Sequence, residues 1–436
     1  MTPVPRQRTK TGADTHADHE CGCTTTTVSR RRVLQGMGLI GAATAAGPLI
    51  SSRAAYAASG TWDGNVLVLL SLRGGFDGLS AVAPIGDPDY SIKRPTIAIP
   101  ASTALAIGDR MFGLHPSLAP LAPLWASGAM AAIHAVGTPD LSRSHFRATD
   151  ELERAAPGSS VRSGWIDRLL GAVGTHTVFE GVHLGSGDPG LLLAGSGPAL
   201  AMGQLKDTTL ASQDWVGDRL NTALKALHTG STMVGSDAAL TTLAALTTVS
   251  DVVARDTTPR NGASYPAGEL GTALADAARL IRANVGLQAL TIDVDDWDLH
   301  SAFGARGTGA FATRLTDVAN SLAVFAKDLG SLFDRVTLMT ISEFGRRVEE
   351  NGSGGLDHGH GNAMLILGGG LNGGKVHGTW PGLTDAALLD GDLDGTTDYR
   401  SVLSEALTNR CRVPSSALSS IFPGLSPQTP GIFMHA

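Results

Sequence analysis

The apolar residues of this chain form continuous runs, separated by stretches with a helical period. Runs of this kind are typical of strands that are buried on both faces of a parallel sheet. They predict strands at residues 65–72, 129–136, 287–294, 336–341 and 363–367. The sequence therefore predicts an α/β fold built on an open sheet of parallel strands.

Polar side chains cluster in the segment between the last two predicted strands. Residues 342–361 hold Glu343, Arg346, Asp357, His358 and His360 among many glycines. An open α/β sheet places its ligands just beyond the carboxyl ends of its strands. We therefore interpret this segment as the centre of a functional site.

A second polar group follows the predicted strand at 287–294. Asp298 and His300 are two residues apart, so in extended structure they point to the same side. Carboxylate and neutral imidazole together suit a divalent metal such as Zn, Mn or Fe, and Ca stays open as a further candidate. The alternative is a solvated acidic loop that holds a histidine by chance. The predicted ligand set is Asp298, His300, Glu343, Asp357, His358 and His360.

Two further strand ends carry candidate chemistry. Arg73 follows the first predicted strand in a glycine-rich turn and could hold a phosphate or sulfate group with two hydrogen bonds. Ser142, Ser144 and His145 precede a predicted acidic helix. A serine there could be a helix cap, or a nucleophile at a helix N-terminus, where backbone N–H groups favour negative charge.

The N-terminal segment resembles an export signal. Residues 29–35 read SRRRVLQ, a mildly apolar stretch of about fourteen residues follows, and Ala55 and Ala57 offer a signal peptidase site. The alternative is a basic tail before a buried helix. We expect residues 1–57 to be removed after twin-arginine export, leaving a periplasmic, cell-surface or secreted protein. The apolar stretch is too short and weak for a permanent membrane span.

The remaining chain, residues 58–436, is predicted to be one α/β domain. Residues 181–285 lack clustered polar chemistry, and we interpret them as an insertion or cap over one side of the sheet.

The charge balance excludes one class of partner. The whole chain of 436 residues has a formal net charge of −7, and without residues 1–57, which hold seven basic and three acidic residues, it becomes −11. Nucleic-acid binding needs a basic face, so we expect none. Cys411 is the one cysteine outside the predicted signal region, which leaves no internal disulfide to form.

The motifs, taken in chain order, resemble those of the exported bacterial domain-of-unknown-function 1501 family. The resemblance rests on LSLRGGFDGLS, SRSHF, DWDLHS and SEFGR with DHGHGN, together with the export motif. That family is placed with alkaline phosphatases and sulfatases. The resemblance implies a three-layer fold, with helices on both faces of a mostly parallel sheet and with metal ligands and a hydroxyl nucleophile at the strand ends.

The resemblance also assigns residues. Asp298 and His300 would match the clan's mid-chain Asp/His pair, Glu343 its late metal-binding Asp, and His358 or His360 its late His. Ser144 would take the nucleophile position, with Ser142 as the second choice.

Two departures leave the function open. Residues 71–73 read Ser-Leu-Arg where an Asp usually follows the first strand, and Phe344 stands where a ligand is usual. One hypothesis is a hydrolase of phosphate or sulfate esters on an anionic small molecule or polymer, in which Ser144 attacks, Arg73 and Arg346 hold the anion and one metal assists. The other is a non-catalytic exported binding or scaffold protein, with or without metal.

Overall fold

A computed structural model describes residues 60–174, 177–185, 189–210 and 214–434. All of them belong to one compact unit. The predicted signal region at residues 1–57, with its twin-arginine motif, lies outside the described residues.

Twelve named strands form two sheets in the described part of the chain. The strands are β1 (Val66–Leu72), β2 (Val82–Ala83), β3 (Leu105–Ala106), β4 (Gly113–Leu114), β5 (Met130–Gly137), β6 (Gly181–Leu184), β7 (Leu200–Met202), β8 (Ala289–Val294), β9 (Val336–Ile341), β10 (Asn362–Gly368), β11 (Val376–His377) and β12 (Thr397–Asp398). The large sheet has the order β11-β5-β10-β9-β1-β8-β6-β7, with β12 also beside β5, and the small sheet has the order β2-β4-β3.

The large sheet is mostly parallel, as predicted. β1 pairs in parallel with both β8 and β9, and β6 continues the parallel order from β8 to β7. The expectation that the run at 363–367 is a parallel strand is wrong, because β10 is antiparallel to both β5 and β9. The chain returns from β9 at the same edge of the sheet without a crossover helix, and a parallel pair requires such a crossover.

Eleven α-helices and several 3-10 turns surround these strands in the described residues. The helices are α1 (Gly78–Ala81), α2 (Pro88–Lys93), α3 (Ala122–Ala126), α4 (His145–Arg154), α5 (Trp165–Val173), α6 (Asp214–His228), α7 (Ser236–Arg255), α8 (Glu269–Ala283), α9 (Ala310–Leu329), α10 (Tyr399–Asn409) and α11 (Leu418–Ile421).

The side chains of β1 alternate between two apolar cores. Val68 and Leu70 lie in a core with residues of α8 and α9. Leu67 and Leu69 lie in a core with residues of α5 and α10. All four side chains are fully buried, which explains why the sequence of β1 is a continuous apolar run. The three-layer arrangement, with helices on both faces of the sheet, is therefore confirmed.

The segment 181–285 contributes both to the sheet and to its surroundings. Its strands β6 and β7 extend the large sheet beyond β8. Its helix α7 packs against α6 and α8. Among the described residues α7 is the one helix long and apolar enough to cross a membrane by length and composition, a criterion that the core helix of a soluble protein also meets.

The strand directions place four loops at one edge of the sheet. β1, β5, β8 and β9 are mutually parallel across the sheet, so their carboxyl ends meet at the same edge. The loops that follow them carry the polar residues identified from the sequence. This edge is where an open α/β sheet binds its ligands.

Candidate metal centre

Three loops bring three histidines together at this edge. His145 is the first residue of α4, after β5. His300 follows β8, and His358 lies in the loop between β9 and β10. The ring centroids of His145 and His358 lie 4.4 Å apart, and those of His300 and His358 lie 4.6 Å apart.

Each of these imidazoles has its Nδ1 atom held by an oxygen. His145 Nδ1 lies 2.7 Å from Glu343 Oε1, and His300 Nδ1 lies 3.1 Å from Asp357 Oδ1. His358 Nδ1 lies 2.7 Å from the carbonyl oxygen of Arg143. Carboxylate and carbonyl oxygens accept hydrogen bonds, so Nδ1 is the protonated nitrogen of each ring. When a ring with this arrangement is neutral, its lone pair is on Nε2, the nitrogen that can bind a metal.

The Nε2 atoms converge on the carboxylate of Asp298. His300 Nε2 and His358 Nε2 are 2.9 Å apart, and they lie 3.0 Å and 3.1 Å from Asp298 Oδ1. His145 Nε2 has no hydrogen-bond partner and lies 3.5 Å from Asp298 Oδ2. We call His145, Asp298, His300 and His358 the donor group.

Two overlapping trios within the donor group have the spacing of metal ligands. Donor atoms of His145, Asp298 and His358 all lie within 4.8 Å of one another. Tetrahedral zinc, with bonds of about 2.0–2.1 Å, sets neighbouring ligand atoms roughly 3.3 Å apart. The separations of 2.9–3.1 Å among Asp298, His300 and His358 are close to that value. Metal-binding histidines also usually donate their other N–H to a carboxylate or carbonyl, as these three do.

Arg346 organises the loops around Asp298. Its guanidinium is buried and donates to Asp298 Oδ1 over 2.6 Å. The other hydrogen bonds go to backbone carbonyls, those of Gly74, Gly75, Trp297 and Leu356. These contacts use the guanidinium to join the loops after β1, β8 and β9, so it is not free to hold a substrate anion.

Asp298 is ionised over the ordinary pH range. Partial burial opposes the charge of its carboxylate, but the neighbouring Arg346 guanidinium and His358 imidazole outweigh burial and lower the pKa of Asp298 to about 2. A carboxylate that keeps its charge and is already fixed by a guanidinium is a suitable metal ligand.

Glu343 holds the imidazole of His145 through a hydrogen bond at Nδ1. Its Oε1 accepts hydrogen bonds from His145 Nδ1 and, over 2.8 Å, from the backbone N–H of Gly74. Gly74 has a φ of +111°, and a Cβ atom there would lie 2.6 Å from the backbone nitrogen of Asp298. The glycine turn therefore allows the first loop to approach both Glu343 and Asp298. Glu343, predicted as a metal ligand, contacts Nδ1 of His145 and is not a member of the donor group.

An aromatic ring forms one wall of the centre. The ring centroid of Phe344 lies 4.8 Å from that of His145 and 4.7 Å from that of His358. This apolar surface stands beside the donor group, and it offers no further ligand to a second ion.

The two candidate serines differ in their contacts. Ser142 Oγ accepts a hydrogen bond from the backbone N–H of Ser144 over 3.2 Å. Ser144 is exposed at the N-cap of α4 and makes no side-chain capping hydrogen bond. Its hydroxyl therefore stands at the helix N-terminus, next in sequence to His145.

Three predicted site residues lie in other surroundings. Arg73 pairs with Glu153 over 2.6 Å and with Asp293 over 2.9 Å, away from the donor group. His360 is buried, and a Cβ atom at Gly137 would lie 2.7 Å from its Nε2. Asp357 holds His300 and accepts a hydrogen bond from Asn351 over 3.0 Å, which is the main cause of its lowered pKa.

A polar cleft adjoins the centre. It has a volume of about 460 Å³, and one of its lining residues is Asp357, the hydrogen-bond partner of His300. Lys93, Arg347, Glu349 and Asp385 line it, so the cleft offers charges of both signs. Its size suits a small-molecule ligand.

Some contributors were missed from the sequence. His145 was predicted as a catalytic residue of the serine loop, but its Nε2 is one of the atoms of the donor group. This position could have been inferred, because the loop after β5 lies at the same edge of the sheet as the loops after β8 and β9. The sequence gives no sign of the role of the Arg143 carbonyl, because every residue has a carbonyl. It also does not show which group the side-chain amide of Asn351 contacts.

A protein-family model described as "Protein of unknown function (DUF1501)" matches residues 98–393 of this chain. A search of curated proteins found no match.

Several solved structures are similar at low identity. The C-terminal periplasmic domain of EcEptC from Escherichia coli is 8% identical, with 87% of this chain and 93% of that chain covered and a TM-score of 0.38. The lipoteichoic acid synthase LtaP from Listeria monocytogenes is 8% identical, with 73% and 71% covered and a TM-score of 0.33. A protein of the alkaline phosphatase superfamily from Vibrio parahaemolyticus is 10% identical, with 73% and 65% covered and a TM-score of 0.30. Likenesses this low say nothing of the activity of this chain.

Proposed function

The chain belongs to the DUF1501 family, and on that premise we propose that it is an exported, divalent-metal-dependent hydrolase of phosphate or sulfate esters. The substrate is an anionic small molecule or polymer outside the cytoplasm. The proposal rests on the residues of the centre, not on the solved structures that resemble the chain.

One observation carries the proposal. Three imidazoles, each with Nδ1 bound to an oxygen acceptor, direct Nε2 toward the carboxylate of Asp298, beside a serine at the N-terminus of α4. The Nε2 atoms and the carboxylate lie 2.9–3.1 Å from one another, a spacing that a positive charge among them, from protons or from a metal ion, would stabilise.

The donor group would hold one divalent cation. Three nitrogens and one carboxylate favour Zn, Mn or Fe over Ca, which prefers six to eight oxygen ligands. A bound cation of this kind supplies a Lewis acid that polarises an ester oxygen or lowers the pKa of a water.

The remaining roles fall to residues of the chain itself. In this proposal Ser144 Oγ attacks the phosphorus or sulfur atom and displaces the ester alcohol, and the N–H groups of the first turn of α4 favour the negative charge of the ester oxygens. Glu343 orients His145, and Asp357 orients His300. Arg346 holds Asp298 and the glycine turn in place, so in this proposal it positions a ligand and does not bind the anion.

Metal analysis tests the proposed centre. The mature protein is purified without chelator or His-tag, and its metal content is measured beside His300→Ala/His358→Ala and His360→Ala. His360 serves as the matched control because its side chain lies outside the donor group. We expect near-stoichiometric Zn, Mn or Fe in the wild type and in His360→Ala, and loss of the metal in the double variant. A folded, metal-free wild type that takes up no added ion would refute the centre.

Turnover tests the reaction. Chromogenic phosphate and sulfate esters are offered to the metal-loaded protein, to Ser144→Ala and to Ser142→Ala. We expect turnover in the wild type, its loss in Ser144→Ala and its retention in Ser142→Ala, because Ser142 Oγ is engaged by a backbone N–H. Equal turnover by the wild type and Ser144→Ala would remove Ser144 from the proposed reaction.

A non-catalytic exported binding or scaffold protein is the second candidate. It is favoured by the contacts of Arg73 and Arg346, whose guanidinium groups are held by protein carboxylates and carbonyls and are not directed at a ligand. A protein that binds metal and anions but turns over no ester would support this second function.

A further inference from the structure

A tight turn at residues 389–392 holds two acidic residues, and it lies against the loops that carry Arg143 and Arg347. Leu389 and Asp392 exchange backbone hydrogen bonds of 2.9 Å and 3.0 Å. The two residues between them, Asp390 and Gly391, have φ angles of +52° and +82°. Positive φ at both central positions is the signature of a type I′ turn, for which Asp-Gly is a preferred sequence. This turn fixes where the side chain of Asp392 points.

The carboxylate of Asp392 lies close to two arginines from different loops, Arg143 and Arg347. Its side chain is 3% exposed, and Oδ2 accepts hydrogen bonds from Arg143 Nη2 over 2.6 Å and from Arg143 Nε over 3.1 Å. Arg347 Nε lies 3.6 Å from Oδ1. The other acid of the turn, Asp390, is 86% exposed and lies 3.5 Å from Arg143 Nη2. Asp392 is therefore the carboxylate that connects the two loops.

Both arginines belong to segments that carry the donor group. Arg143 precedes Ser144 and His145, and its carbonyl oxygen holds His358 Nδ1 over 2.7 Å. Arg347 belongs to the loop of His358, where its N–H donates to the carbonyl oxygen of Asp357 over 2.9 Å. Asp392 thus holds the side chain of the residue whose carbonyl faces His358 Nδ1, and it lies between the loop of His145 and the loop of His358.

We propose that Asp392 is a positioning residue of the metal centre, which acts through Arg143 and its carbonyl to direct His358 Nε2 toward the donor group. The proposal rests on the proposed metal site. Without the carboxylate, the side chain of Arg143 loses its buried partner, and the carbonyl that holds His358 Nδ1 is no longer fixed. Groups that orient a metal ligand in this way contribute about 10–100-fold to metal affinity.

The test measures metal affinity in the full mature protein. Dissociation constants for Zn²⁺ and Co²⁺ are determined by competition with a chelator for the wild type, Asp392→Asn and Asp390→Asn. Asp390→Asn is the matched control, since it makes the same change in the same turn at an exposed side chain. We expect Asp392→Asn to bind both ions about 10–100-fold more weakly and to alter the visible spectrum of bound Co²⁺. Asp390→Asn should bind like the wild type.

Two further measurements separate positioning from general stability. Urea unfolding of the metal-free proteins should give similar midpoints for Asp390→Asn and Asp392→Asn, whereas a purely structural role would lower only the second. Arg143→Gln keeps the backbone carbonyl and removes the ionic contact at a side chain that is 38% exposed. It should weaken metal binding as Asp392→Asn does, and it keeps the test valid if Asp392→Asn fails to fold.

The outcomes are distinct. Equal affinity of the wild type, Asp392→Asn and Arg143→Gln would overturn the role of Asp392 and leave the proposed metal site standing. A wild type that binds neither Zn²⁺ nor Co²⁺ would overturn both. Weaker binding in Asp392→Asn and Arg143→Gln with unchanged metal-free stability would establish the positioning role.

Discussion

His300 Nε2 and His358 Nε2 lie 2.9 Å apart, although Nδ1 of each ring is already held by an oxygen acceptor. Two lone pairs at this distance repel each other unless a proton or a cation lies between them. The ionised carboxylate of Asp298, 3.0–3.1 Å from both nitrogens, adds further negative charge. The two rings are thus arranged for a bound positive charge, and the identity of that charge is open to measurement.

The first prediction concerns which metal ions stabilise the protein. Zn²⁺, Mn²⁺ or Fe²⁺ at about 100 times its dissociation constant should raise the free energy of unfolding by about 2.7 kcal/mol, because it binds the folded state alone. Ca²⁺ should give no increase, since three imidazoles are poor ligands for it. Thermal unfolding with each ion measures the effect. Equal stabilisation by Ca²⁺ and Zn²⁺ would place the ion at surface carboxylates and contradict the donor group.

The second prediction concerns Glu343. Glu343→Gln replaces the charged acceptor of His145 Nδ1 by a neutral amide of the same shape, so His145 becomes a weaker and less well-oriented ligand. We expect metal affinity and ester turnover to fall about 10–100-fold with the fold intact. Glu349→Gln, the same change at an exposed side chain six residues away, is the control for metal affinity and should bind metal like the wild type. Identical metal affinities for the two variants would leave Glu343 with a structural role alone.

The third prediction concerns the buried pair of Asp77 and Arg94. Their side chains are almost completely buried and share hydrogen bonds of 2.6 Å and 2.9 Å. Asp77→Ala leaves the guanidinium of Arg94 without its carboxylate, and breaking such a pair costs about 3–5 kcal/mol. Urea unfolding should show this loss. Asp385→Asn removes the exposed partner of Lys93 and should leave the unfolding curve unchanged. Similar curves for both variants would mean that the pair adds little to stability.

The location of the centre could be predicted from sequence, and the reason is the sheet. The runs that became β1, β5, β8 and β9 are continuous and apolar, which is typical of strands buried on both faces of a sheet. Parallel strands end at one edge, so polar residues that follow different strands meet there. Asp298, His300 and His358 were brought together by this argument.

The partners of each side chain could not be predicted in the same way. Arg73 and Arg346 were expected to hold an anion, because an arginine in a glycine turn gives no sign of its partner. The structure directs Arg73 to Glu153 and Asp293, and it uses Arg346 to join three loops. His358 and His360 were equivalent in the sequence, yet only His358 reaches the donor group. The direction of β10 was missed because a buried apolar run reads alike in either direction.

The fourth prediction is a loss of stability at mildly acidic pH. Burial lowers the pKa of His134 to about 4, against its hydrogen bond to the carbonyl of Val82. The unfolded chain, with a histidine pKa near 6.5, binds this proton first, so stability is complete above pH 6.5 and falls as the pH drops toward 4. Between pH 7.5 and pH 5 the loss should be about 2 kcal/mol for this residue.

Urea unfolding at the two pH values measures this loss in the wild type and in His134→Phe. The variant keeps an aromatic ring against Phe112 and Trp380 but cannot titrate. Its overall stability should be lower, because Ala135 N–H loses its acceptor on the imidazole, while its dependence on pH should be weaker. The same dependence on pH in both proteins would exclude His134 as a source. His115, whose pKa burial also lowers to about 4, would then be the next residue to replace.

The fifth prediction concerns export, which the motif at residues 29–35 indicates. Arg30→Lys/Arg31→Lys should abolish export, because the twin-arginine machinery reads the adjacent arginines of the motif. Arg32→Lys changes the position between that pair and the apolar residues, and it should leave export intact as a matched control. Cell fractionation with mass spectrometry of the N-terminus measures both location and cleavage. Uncleaved cytoplasmic protein is expected for the double variant, and equal export of both variants would mean that another signal carries the chain across the membrane.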